Sequence, residues 1–140
     1  GSVAIEWMRA ARDARAIGFE RRADRRAMAL ENAVTLGAPK LQVLDGEVPN
    51  ALSDLEAPDA IFIGGGLSVE TFDAAWTALK PHGRLVANAV TLEGEAVLFE
   101  LFHKHGGDLT RIAVARAEPV GRLTGWRAAM PLTQWSIVKL

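Results

Sequence analysis

Pro58-Asp59-Ala60-Ile61-Phe62-Ile63-Gly64-Gly65-Gly66 is the stretch on which the fold turns. Ile61, Phe62 and Ile63 form an unbroken apolar run with no polar alternation. A run this short, bounded by Pro58 and a glycine cluster, predicts a strand buried on both faces of a parallel sheet. The glycines fall at its carboxyl end, where open α/β sheets bind ligands. Without side chains there, a ligand can approach the backbone closely. Ser68 follows as a candidate helix N-cap. Strand, bare loop and helix start together make a nucleotide-style site. A glycine cluster is a weak motif by itself, and a plain turn is the competing reading.

The chain has 140 residues, enough for one domain with a sizeable core. Apolar residues make up 49% and charged residues 24%, the profile of a soluble globular domain. A formal net charge of -1 lacks the basic balance of a nucleic-acid binder. The absence of cysteine excludes disulfides and thiolate metal sites, and fits a cytoplasmic protein. No apolar run approaches the ~18 residues that span a membrane, and no signal peptide is visible. The chain opens on Gly1-Ser2-Val3 without methionine, so a fragment of a longer protein is expected.

Outward from the central strand, the periodicity predicts a helix from Ser2, as its cap, to about Arg12, with Ile5, Met8 and Ala11 inward. A short strand over 14–19 ends at Glu20. Asp24 is the expected cap of a helix running to about Leu36, with Ala27, Leu30 and Val34 on one face of it. Gly37 and Pro39 stop it. A strand over 41–44 ends at Asp45-Gly46, and one or two helical turns are expected over 49–55. Past the glycines, a helix over 68–79 turns Val69, Phe72, Trp76 and Leu79 inward. A strand over 84–90 and a helix over 93–105 follow, the latter with Val97, Leu98, Leu101 and Phe102 packed. Strands are expected over 109–117 and 134–140, with an exposed loop at 118–131.

Alternation of this kind implies a mostly parallel sheet with helices on both faces. The last two strands have no helix between them and are expected to pair antiparallel. The S-adenosylmethionine-dependent methyltransferase fold ends in this way. The expected class is therefore α/β, Rossmann-like, with a carboxy-terminal antiparallel pair and the first strand missing from this chain. Gly1-Ser2 would be the tail of the first glycine-rich turn. A domain without its central strand would leave neighbouring edges unpaired. Residues 1–140 are thus expected to form one amino-terminally incomplete domain.

Glu20 stands at a strand end about twenty residues past that turn, where an acidic residue takes ribose hydroxyls. Asp45, at the next strand end, would take the exocyclic amine of adenine; an Asx turn is the alternative. The two acids and the glycines favour a nucleoside-type cofactor. Methyltransferases acting on amino nitrogens carry Asn or Asp and two prolines where this chain has Gly64-Gly65-Gly66, so amine methylation is disfavoured. Carboxylates that would hold a metal are also missing there. Asn88, Thr91 and Glu93 line another strand end. Asn88 could donate to a substrate oxygen and Glu93 could move a proton. Equally, Thr91 could cap the helix and Glu93 favour its positive end. Arg116, Arg122 and Arg127 could hold carboxylates, and Trp126 a flat ligand. Solvated arginines and a packing tryptophan are the alternative. His103 and His105 lack metal-ligand spacing and are expected to be exposed cations at the helix end.

Gly1-Ser2-Val3-Ala4-Ile5-Glu6-Trp7, Ile61 to Gly66, Val86-Ala87-Asn88-Ala89-Val90-Thr91-Leu92-Glu93 and Ala115-Arg116-Ala117-Glu118-Pro119 together resemble one family. It is the decarboxylating precorrin-6Y methyltransferases of cobalamin biosynthesis, in their carboxy-terminal, carbon-15 methylating domain. The resemblance covers essentially the whole chain, including the segment from Gly121-Arg122 to Trp135. It implies S-adenosylmethionine as cofactor and a tetrapyrrole acid, a precorrin, as substrate. It implies methyl transfer to a meso carbon with loss of carbon dioxide from an acetate side chain. Many members fuse this domain behind another that acts on carbon 5. The resemblance puts the cofactor on Gly1, Ser2, Glu20, Arg21, Asp45, Gly46, Gly64 and Gly65. It puts substrate on Gly66, Thr91, Arg116, Trp126 and Arg127, and the chemistry on Asn88, Glu93 and Arg122. It implies a cytoplasmic homo-oligomer with no metal and no nucleic-acid or membrane partner.

Two other readings compete. An NAD-binding oxidoreductase would explain Glu20 and the glycines but not the antiparallel ending. A non-catalytic domain of methyltransferase fold could carry precorrin intermediates.

Overall fold

The computed structural model describes residues 1–46, 48, 52 and 55–140. The turns expected over 49–55 lie outside the described residues, Leu52 and Leu55 apart. The chain forms two compact units, Gly1–Leu55 and Glu56–Leu140.

The first unit comprises α1 (Ser2–Ala10), β1 (Ile17–Phe19), α2 (Ala23–Thr35) and β2 (Gln42–Leu44). β1 and β2 pair in parallel, with Phe19 opposite Leu44. Ile5, Ala33, Ala38 and Leu41 are buried together, and Ala4, Met8, Ala16 and Val43 pack on them. Gly37 takes φ +83 directly after α2, the left-handed conformation that suits glycine at a helix end.

Gly1 caps α1, because the first helical hydrogen bond runs from Ile5 N to the Gly1 carbonyl, which places Ser2 inside the helix. α1 stops at Ala10, where Ala11 turns extended, and Ala11 is exposed rather than inward. Arg22, not Asp24, caps α2. Asp24 sits in the first turn, where the helix dipole favours an acid, and accepts from Arg22 Nη2 at 2.7 Å. The inner face of α2 is Ala29 and Ala33, while Ala27, Leu30 and Val34 are exposed. Small residues win there because the backbone of Gly1 lies against α2: a Cβ on Gly1 would stand 2.9 Å from Ala29 Cβ.

The second unit comprises β3 (Ala60–Ile63), α3 (Val69–Ala78), β4 (Arg84–Ala89), α4 (Leu92–His105), β5 (Asp108–Ile112), β6 (Ala115–Val120), β7 (Leu123–Ala128) and β8 (Leu132–Val138). Its main sheet has the order β3-β4-β8-β5. β3 and β4 are parallel, and β8 runs antiparallel between β4 and β5, the ending expected from the missing last helix. Leu85, Ala87 and Ala89 share one sheet face with their partners Ile137, Trp135 and Thr133, and all are buried. Phe72 and Leu79 of the α3 region and Leu98 and Leu101 of α4 complete that core. Burying a side chain such as Phe72 fully contributes about 1.5–3 kcal/mol. Of the apolar run in β3, Ile63 is buried and Ile61 and Phe62 are half-buried.

Ser68 and Thr91 are both N-caps, accepting from Thr71 N and Gly94 N at 3.1 Å each. Residues 118–131 are not a loop. β6 and β7 form an antiparallel hairpin whose turn, Gly121-Arg122, has Gly121 at φ +60. Both faces of this ribbon are largely exposed, so it lacks the apolar alternation that marks a strand in sequence. The strand expected over 109–117 accordingly breaks between Ile112 and Ala115, where the chain leaves the main sheet. His105 is not an exposed cation. It is half-buried against Phe72, with ring centroids 5.0 Å apart, and its Nε2 is buried without a hydrogen-bond partner among the described residues.

Candidate active site

In the first unit the two candidate acids come to one place. Phe19 and Leu44 are register partners, so Glu20 and Asp45 follow adjacent parallel strands at their carboxyl ends. Glu20 N donates to the Leu44 carbonyl at 3.1 Å, extending that pairing. Arg26, on the second turn of α2, holds the pair. Its Nη1 donates to the Glu20 and Arg21 carbonyls at 2.7 Å each and lies 3.1 Å from Asp45 Oδ1. Arg22 N donates to Glu20 Oε1 at 3.0 Å, which orients the carboxylate. The Arg22 guanidinium beside Asp24 holds that carboxyl below the usual carboxylate range. Arg21 is exposed, Gly46 half-buried, and Gly1 and Ser2 start α1.

Glu20 and Asp45 thus present two acceptor carboxylates side by side, that of Asp45 mostly exposed, an arrangement compatible with the hydroxyls and amine of a nucleoside. The strand-end positions of Glu20 and Asp45 match the sequence expectation, whereas the contacts of Arg26 were not expected. Its partners lie on two other elements, and no spacing signals them.

In the second unit the carboxyl ends of β3 and β4 form a rim. Gly64, Gly65 and Gly66 are exposed there. A Cβ on Gly65 or Gly66 would meet nothing within 4 Å, and Gly66 has φ +68. Gly65 and Gly66 are therefore open to a ligand, Gly66 also serves the turn, and Gly64 packs against the Phe62 ring, 2.8 Å from where a Cβ would stand. Thr71 Oγ1 donates to the Gly66 carbonyl at 3.3 Å. Asn88 is half-buried, and its Oδ1 accepts from Gln134 Nε2 at 3.0 Å, leaving the amide NH2 as the donor end. Thr91 is engaged as the α4 cap, and Glu93 is exposed in the first turn of that helix.

The late candidates lie on the hairpin. Arg116 and Arg127 are cross-strand partners on one face, with Arg127 Nε 2.8 Å from Glu118 Oε2. Trp126, 80% exposed, lies on the opposite face, across from Ala117. Arg122 is in the turn. The hairpin thus brings the two strand arginines together and separates them from the tryptophan. Sequence reasoning also missed Glu95, Arg111 and Thr133, which meet at the same rim from α4, β5 and β8. Among the described residues, no group of three or more His, Cys, Asp and Glu side chains could hold a metal ion.

A family model described as "Precorrin methyltransferase domain" matches residues 1–139. The chain belongs to the precorrin methyltransferase domain family. It is 52% identical over 140 residues to a Sinorhizobium protein named precorrin-6Y C(5,15)-methyltransferase [decarboxylating]. That match covers 99% of this chain and 34% of the relative, so the chain spans about a third of that relative's length. A solved structure of the C-terminal domain of precorrin-6Y C5,15-methyltransferase from Rhodobacter capsulatus is 48% identical, with a TM-score of 0.88 over 99% of this chain and 75% of that one. A solved SAM-dependent O-methyltransferase from Thermotoga maritima, 16% identical, shares the fold alone, with a TM-score of 0.63 over 90% of this chain and 50% of that one. The fold is the Rossmann-like α/β fold of S-adenosylmethionine-dependent methyltransferases. No helix among the described residues is long and apolar enough to cross a membrane.

Proposed function

We propose that this chain is the carbon-15 methylating and decarboxylating domain of a precorrin methyltransferase in cobalamin biosynthesis, with S-adenosylmethionine as its cofactor. The observation that carries this reading is the 52% identity to the named Sinorhizobium enzyme across nearly the whole chain. The adjacent strand-end acids and the open glycine loop support it. When bound, S-adenosylmethionine supplies an electrophilic methyl group. Glu20 would hold its ribose hydroxyls and Asp45 its adenine amine. Gly64 and Gly65 would let a ligand lie against their backbone. Arg21, Gly46, Gly1 and Ser2 would complete the surroundings.

The precorrin macrocycle brings its own nucleophilic carbon, so the protein's task is alignment, which can supply about 7–11 kcal/mol of the barrier. Carbon dioxide leaves as the carbon–carbon bond to the acetate carboxyl breaks. The conjugated ring takes the electron pair, and a proton then adds. Asn88 would donate to a substrate oxygen, and Glu93 would move protons at the solvent edge. Gly66, Thr91, Arg116, Arg122, Trp126 and Arg127 would hold the acid periphery and a ring face. The protein would act in the cytoplasm as a homo-oligomer, with the exposed cross-strand pair Val120 and Leu123 of the hairpin favouring assembly.

Calorimetry with adenosylhomocysteine and with NAD tests the reading. Binding of adenosylhomocysteine alone is the expected result. Binding of NAD alone would make the protein an oxidoreductase, and tight precorrin binding without turnover would make it a carrier.

A further inference from the structure

At the carboxyl-end rim of the second unit, three polar side chains from three elements converge. Thr133 of β8 lies between Ala89 of β4 and Arg111 of β5 in one lateral row of the sheet. Arg111 Nη2 donates to Thr133 Oγ1 at 3.1 Å and pairs with Glu95 Oε1 of α4. Thr133 Oγ1 donates to the same carboxylate oxygen. The Thr133 residue is 3% exposed and the Glu95 side chain 18%, whereas the Arg111 side chain is 60% exposed.

Stability is a poor explanation for this arrangement. A carboxylate so far removed from water loses hydration that one ion pair to a mostly exposed arginine and one hydroxyl barely repay, and apolar residues would serve a core as well. The geometry serves orientation better. Both Arg111 contacts run through Nη2, on a guanidinium with five donors in a fixed plane. Glu95 and Thr133 hold that plane, so less side-chain freedom is lost when a second acceptor arrives. The rim is also the end of the sheet that carries the open glycine loop, where α/β folds bind ligands.

We infer that Arg111 is a carboxylate-binding residue for the acid periphery of the substrate, with Glu95 and Thr133 as its positioning residues. This rests on the reading of the substrate as a tetrapyrrole acid. It makes Arg111, anchored in the main sheet, the fixed cation of the site, and the hairpin arginines the outer ones.

The test uses uroporphyrin I, a tetrapyrrole carrying carboxylates on its peripheral chains, and its fully esterified form, titrated by absorbance against the purified protein. Arg111→Gln is expected to weaken binding of the acid about tenfold, with binding of the ester and of adenosylhomocysteine unchanged. Arg111→Lys should recover part of the loss, and Glu95→Gln should fall between wild type and Arg111→Gln. Wild-type affinity for the acid in Arg111→Gln would overturn the inference alone, as would equal losses for acid and ester. A wild-type protein that binds adenosylhomocysteine but not the acid would overturn the substrate reading and the inference together.

Discussion

Arg26 reaches two main-chain carbonyls and one carboxylate through a single nitrogen, and so ties the ends of β1 and β2 to α2. Its side chain is 21% exposed, which screens these contacts less than a surface pair. Glu20 and Asp45 could be read from sequence because each closes a short apolar strand, where ligands meet an α/β sheet. Arg26 could not, since in sequence it resembles its exposed neighbours Arg22 and Arg25, which do not reach the strand-end carboxylate of Asp45. Arg26→Met is expected to weaken adenosylhomocysteine binding about tenfold, while turnover at saturating cofactor holds. Calorimetry and the KM-against-kcat split report this. Unchanged affinity would mean that strand pairing alone places the two acids.

At the scale of elements, α3 and α4 start on hydroxyl caps, and their buried stripes were legible with them. Ser68 and Thr91 each stand three residues ahead of the amide they accept. Ser68→Ala should cost about 1 kcal/mol, read as a lower urea midpoint at constant slope. A change below the error of the midpoint would show that the Gly66 loop, not the hydroxyl, sets the start of α3. The face of α2 was misread because apolar spacing alone cannot tell Leu30 and Val34 from Ala29 and Ala33. Close approach of the Gly1 backbone selects the small pair. The β6–β7 hairpin was hidden for a related reason. Its residues are exposed on both faces, so burial, the origin of the period-two signal, never shaped its sequence.

For the whole molecule, two first-turn acids each contribute a small acid-side loss of stability. The Asp24 carboxyl is held low by Arg22, and that of Glu70 by its own backbone N–H and then the Ser68 hydroxyl. A depressed carboxyl contributes stability above its unfolded value, about 4, and loses it as pH falls through the folded value. The melting temperature should therefore fall on the acid side, below about pH 4. Because both groups are fully exposed, the double variant Asp24→Asn, Glu70→Gln should flatten that fall only slightly. A steeper fall in the variant would contradict the assignment. What this sequence determined by itself was the alternation of most strands and helices, the hydroxyl caps of α3 and α4, and the placing of acids and glycines at strand ends. Each depends on neighbours within a few residues, or on burial strong enough to leave a period. Only the tertiary structure decided which helix face is buried, that 115–128 pairs as a hairpin, and that Arg26, Glu95, Arg111 and Thr133 meet partners from other elements. Those contacts span up to 38 residues of chain, as between Glu95 and Thr133, and a distance of that kind is set by strand register rather than by spacing.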